Sequence, residues 1–99
     1  MKQYIKGTHK LDGRHFKLNQ ALKSLKQAWL KYANLDIEIS DDSESITFEN
    51  NNGDPVVLRI KIQLIPQYQI YNQYQDSIGV STDLKEVESI LSDEISRNR

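Results

Sequence analysis

Cysteine is absent from the 99-residue chain. That excludes disulfides, thiolate metal sites and cysteine nucleophiles, and it is the composition expected of a reducing compartment. Proline occurs twice and glycine four times, too sparsely to build a flexible linker, and no internal repeat or low-complexity tract divides the chain. Nowhere does the sequence reach the roughly 18 consecutive apolar residues of a membrane span. Lys2 and Lys6 are not followed by the apolar stretch of a signal peptide. The expectation is one cytoplasmic domain over residues 1–99 with no membrane partner. A chain of this length withdraws roughly two-thirds of its extended surface from water, so a single core can hold it without metal or cofactor.

Recognisable chemistry is missing as well. There is no phosphate-cradling glycine loop, nucleophile elbow, H-E-x-x-H or Cys/His cluster. The acidic run Asp41-Asp42-Ser43-Glu44 offers oxygen ligands but lacks the alternating ligands and central glycine of an EF-hand loop, and it reads as a solvated turn. His9 and His15 are the two histidines. No catalytic or metal-binding residue is assigned, and the chain is read as a non-enzyme.

What the sequence does hold is segregated charge. Residues 1–35 carry eight Lys/Arg and one acid, residues 36–54 carry seven acids and no base, and the net charge of the chain is -1. Blocks of opposite sign either attract each other within the fold or face partners of opposite sign.

Residues 4–18 read as a hairpin about Asp12-Gly13, a dipeptide suited to the two positive φ angles of a type I′ turn. In that register Ile5, His9, Leu11, Phe16 and Leu18 share one face, and Lys6, Thr8, Lys10, His15 and Lys17 share the other. A helix starting at Asp12 is the competing reading; it would leave Phe16 off the apolar stripe that follows. From Asn19 to Asn34 the period becomes helical: Leu18, Leu22, Leu25, Trp29 and Tyr32 form a stripe, and Lys23, Lys26 and Lys31 lie on the solvent side. Trp29 is expected near the centre of the interface between helix and sheet.

Residues 36–64 predict a three-stranded meander. A three-residue loop with Gly53 in the left-handed position pairs Phe48 with Val56 and Ile46 with Leu58, and turns Glu38, Thr47, Val57, Arg59, Lys61 and Gln63 outward. After Pro66 the chain becomes uncharged and rich in tyrosine and glutamine, which favours a further strand with Tyr68, Ile70 and Tyr74 on one side; a short helix also fits the tyrosine spacing. Gly79 and its neighbours read as a connector. A last helix, Asp83 to Ser96, carries the stripe Leu84, Val87, Leu91 and Ile95, with Ile90 beside it, and a capping pattern at Asp83 and Glu86. The fold class is α+β, an antiparallel sheet of about five strands with two amphipathic helices mainly on one face, in the order β-β-α-β-β-β-(β)-α.

Two surfaces then carry functional weight. The tyrosine and glutamine segment, with Tyr68, Tyr71, Tyr74, Gln69 and Gln73, combines rigid aromatic area with adaptable polar tips, and as an edge strand it would suit another protein or a second copy of the chain. The lysine-rich surface of Lys6, Lys10, His15, Lys17, Lys23, Lys26 and Lys31 suits an anionic partner, nucleic acid included. The acidic final helix weighs against the nucleic-acid alternative. The preferred expectation is a non-catalytic protein-binding module of adaptor, inhibitor or immunity type.

Overall fold

A computed structural model describes residues 12–63 and 67–98. Helix α1 (Asp12–Trp29) is followed by strands β1 (Asp36–Ile39), β2 (Ser43–Glu49), β3 (Pro55–Ile62), β4 (Tyr68–Tyr71) and β5 (Ser77–Ser81), and then by helix α2 (Leu84–Asn98). The strands pair antiparallel in chain order, β1-β2-β3-β4-β5. This is the expected class, α+β: among the described residues, five antiparallel strands and two helices.

Alternation along the strands decides which face is covered. In β3, Val56, Leu58, Ile60 and Ile62 are buried while Pro55, Val57, Arg59 and Lys61 are exposed. Registers Phe48 opposite Val56 and Ile46 opposite Leu58 are those expected from burial. They close the β2–β3 turn with Gly53 at φ 83°, a conformation open to glycine because it has no Cβ. Leu18, Leu22 and Leu25 of α1 and Val87, Leu91 and Ile95 of α2 join the inner side chains of the sheet in one cluster. Both helices therefore cover the same face. Burying each Leu, Ile or Val of this cluster contributes about 1.5–3 kcal/mol before chain entropy is subtracted.

The beginning of the described chain departs from expectation. Residues 12–18 belong to α1, so the second arm of the predicted hairpin is helical; its first arm, residues 4–11, lies outside the described residues. Phe16 is indeed left off the stripe, 65% exposed. What outweighs that loss is His15, which the hairpin would have set among the lysines. The helix turns it inward, and its ring meets two acceptors.

α1 also ends earlier than its stripe suggests. The amides of Tyr32 and Ala33 both donate to the Trp29 carbonyl at 2.8 Å, and the chain turns there, leaving Tyr32 exposed and sinking Leu35 completely. Trp29 is half-buried at the end of the helix rather than at the centre of the interface. Its indole Nε1–H donates to Ser92 Oγ of α2 at 3.2 Å.

The stretch about Gly79 is a strand, not a connector. Gly79 lies against α2 so closely that a Cβ there would come within 2.8 Å of the Ile90 Cδ1, which is why the position looks like a break in the pattern. Tyr68 and Ile70 point into the core as expected. Tyr74 does not join them: it sits in the β4–β5 turn, 75% exposed.

Candidate protein-binding face

The outer side of the sheet is built by the residues that alternate with the core. Across it, cross-strand pairs run Ser45–Arg59 and Thr47–Val57 between β2 and β3, Arg59–Tyr71 and Lys61–Gln69 between β3 and β4, and Gln69–Val80 between β4 and β5. Val57 and Val80 are 44% and 50% exposed. No described helix covers this face, because both helices pack on the other one.

A groove of about 520 Å³ opens on it, lined by Val57, Arg59, Lys61, Tyr71, Asn72, Gln73 and Gln75. The β4–β5 turn supplies one wall. Its geometry repeats that of the β2–β3 turn: Asn72 Oδ1 accepts from the Tyr74 and Asp76 amides at 2.9 and 3.0 Å, as Asn50 Oδ1 accepts from the Asn52 and Asp54 amides at 2.9 and 3.0 Å. Each turn requires a left-handed residue at its fourth position. In one turn this is Gly53; in the turn beside the groove it is Gln75, at φ 68°, where a residue with a Cβ is disfavoured by about 1–2 kcal/mol.

Two cations stand over the groove. Arg59 Nε donates to Ser43 Oγ at 3.4 Å, which ties the stem of the guanidinium to β2. Among the described residues neither Arg59 nor Lys61 has a carboxylate within ion-pair distance; the ion pairs there are His15–Glu44 and Arg97–Glu94. A positive, partly apolar groove with a tyrosine on its floor can receive a carboxylate or an acidic side chain beside an apolar one.

The tyrosine and glutamine segment is placed differently from its predicted role as an edge. β4 lies between β3 and β5, so its backbone groups are paired on both sides. The reason is β5, whose glycine hid it from the sequence. Tyr68 is in the core, Tyr71 lines the groove and Tyr74 projects from the turn. Gln69 belongs to a chain of amide contacts over the outer face: Gln67 donates to Gln63, Gln63 Nε2 to Gln69 Oε1 at 3.1 Å, and Gln69 Nε2 to Ser77 Oγ at 3.2 Å. Gln73 Nε2 donates to Asn98 Oδ1 at 2.9 Å. That contact ties the turn to the end of α2, where Asn98 and Arg97 both hold Glu94. The Gln73 Oε1 is buried with no hydrogen-bond partner among the described residues.

The lysine surface is divided. Lys6 and Lys10 lie outside the described residues. Lys17, Lys23 and Lys31 are exposed and Lys26 is half-exposed, but nine residues, about two and a half helical turns, separate Lys17 from Lys26 and place them on opposite flanks. His15 does not belong to this surface. It is 6% exposed, with Nε2 3.0 Å from the Asp41 carbonyl and Nδ1 3.0 Å from Glu44 Oε2. Nε2–H donates to the carbonyl, and Nδ1 faces the carboxylate. Asn19 Nδ2 donates to the other oxygen, Glu44 Oε1, at 3.1 Å.

Glu44 is thus a core residue, 1% exposed and directed inward from β2, rather than part of a solvated loop. The trio pins the start of α1 to the sheet on the side away from the groove. Among the described residues no group of three or more His, Asp or Glu side chains could hold a metal ion, and no helix is long and apolar enough to cross a membrane. Sequence reasoning had placed Arg59 and Lys61 on the outer face without assigning them a role. Their proximity to Tyr71 depends on the β3–β4 register, which the sequence did not specify. Comparison with protein-family models, with curated proteins and with solved structures gave no match.

Proposed function

We propose that the chain is a non-catalytic protein-binding module whose outer sheet face receives an acidic segment of another protein. The observation that carries this reading is the uncovered groove itself, with Arg59 and Lys61 unpaired among the described residues above Tyr71. An exposed valine on each side, Val57 and Val80, supplies apolar area, and the two cations select the sign of the partner. An adaptor, an inhibitor or an immunity-type protein would use such a face in the same way, by occupying or bridging another protein rather than by transforming a substrate.

The test is capture of binding proteins from the cells of origin by the tagged chain, in parallel with Arg59→Glu/Lys61→Glu, after nuclease treatment. Both side chains are exposed, so the double variant is expected to keep its melting temperature. It should lose the captured protein by at least about tenfold in affinity. A partner retained equally by the variant would refute the face. Loss of all binding on nuclease treatment would transfer the function to nucleic acid and to the lysines of α1.

A further inference from the structure

β1 is an outer strand of the described sheet, paired with β2 alone. Beside it runs a second groove of about 600 Å³, lined by Asn19, Lys23 and Lys26 of α1 and by Asp36, Ile37, Glu38 and Ile39 of β1. Phe16, Asn19, Lys23 and Lys26 follow one another at three- and four-residue spacing, which sets them along one flank of the helix. His15, next to Phe16, bonds to Asp41 just beyond β1, so the Phe16 end of that flank lies at the Ile39 end of the strand. Phe16 and Ile39 are 65% and 53% exposed. The groove thus has Lys23 and Lys26 on its helix side, with the exposed Phe16 further along the same flank, and two acids, Asp36 and Glu38, on the outer side of the strand.

We infer that this edge is a docking site for an extended strand of another protein. That strand would present basic side chains outward, against Asp36 and Glu38, and would present an apolar side chain followed by an acidic one toward Phe16, Ile39, Lys23 and Lys26. Among the described residues none of these four charged groups is ion-paired, and the backbone of an outer strand offers a row of donors and acceptors that a segment of a second chain can pair.

A second copy fits poorly. In the two registers that overlap three of the four β1 residues and keep the core faces on one side, two β1 strands related by a two-fold axis align Asp36 with Glu38 or Glu38 with itself. Both registers place like charges directly opposite each other, which is destabilising. The same acids that exclude a second copy select a basic strand.

The probes are fluorescent seven-residue peptides with lysine at every odd position and valine, valine and aspartate at the even ones, in forward and reverse order. Binding is read by anisotropy and by amide chemical shifts of the full chain. At least one order is expected to bind saturably, with shifts concentrated at residues 36–39. Asp36→Lys/Glu38→Lys should weaken it at least tenfold, and a probe with glutamate in place of lysine should recover binding to that variant. Arg59→Glu/Lys61→Glu should bind the probe as the wild type does, so failure here is separable from failure of the outer face. Absence of saturation with both orders, binding indifferent to the charge reversal, or shifts confined to β3 and β4 would overturn the inference. So would self-association of the wild type that the β1 variant alters, since it would seat a second copy on the edge.

Discussion

Glu44 shows how a single side chain can decide the start of an element. A carboxylate 1% exposed is costly unless its oxygens are met, and His15 and Asn19 meet both of them from α1. Glu44→Leu removes the acceptor and strands the buried ring. We expect it to lower unfolding stability in urea by about 2–4 kcal/mol, and we expect His15→Leu/Glu44→Leu to restore most of that loss, because the groups then left without a partner, the Asn19 amide and the Asp41 carbonyl, belong to residues that are not buried. Equal destabilisation in the single and double variants would refute the pairing. At Gln75 the expected change has the opposite sign. Gln75→Gly relieves the left-handed backbone and should stabilise the fold by about 1 kcal/mol in the same assay, while removing one wall of the groove and weakening partner binding. None of this could be read from the residues alone: His15 stands among lysines in the sequence, and the group that claims it is 29 positions away.

Elements were legible where their periodicity was undisturbed. The apolar alternation of β3 and the stripe of α2 specify both the type of each element and its buried face, and Asp83 caps α2 as its position suggests, its Oδ1 accepting from the Lys85 amide at 3.0 Å. The partner expected of Glu86 differs: it is Ser81 that donates to the Glu86 carboxylate and accepts from the Asp83 amide, so the helix start is tied to β5. Asp83→Ala should cost about 1 kcal/mol in thermal or urea unfolding; no change would mean the cap is idle. β5 escaped notice because the feature that lets it pack, a glycine against Ile90, is also the usual mark of a turn. Gly79→Val should therefore destabilise the fold by about 1–3 kcal/mol through crowding, and more than Gly79→Ala, which Ile90 can accommodate by moving its terminal methyl. The opposite order would mean that β5 and α2 are not in close contact. The start of α1 was misread for a related reason. Asp12-Gly13 satisfies the local rules of a hairpin, and only a distant contact favours the helix.

For the molecule as a whole, the two helices of the described residues lie on one side of five strands, and neither covers the opposite side. The layer order followed from the sequence; the groove did not, because it depends on β4 lying inside the sheet and bringing Tyr71 next to Arg59. Charge segregation takes on a spatial meaning here. The cations of β3 stand over the open face, the acids of β1 border its edge, and the lysines of α1 are divided between two flanks. The most direct measurement is the acetylation reactivity of each lysine, read by mass spectrometry with and without the captured partner. Protection of Lys61, with Lys17 and Lys31 reacting as before, is the expected result; protection of the α1 lysines while Lys61 stays reactive would contradict the account.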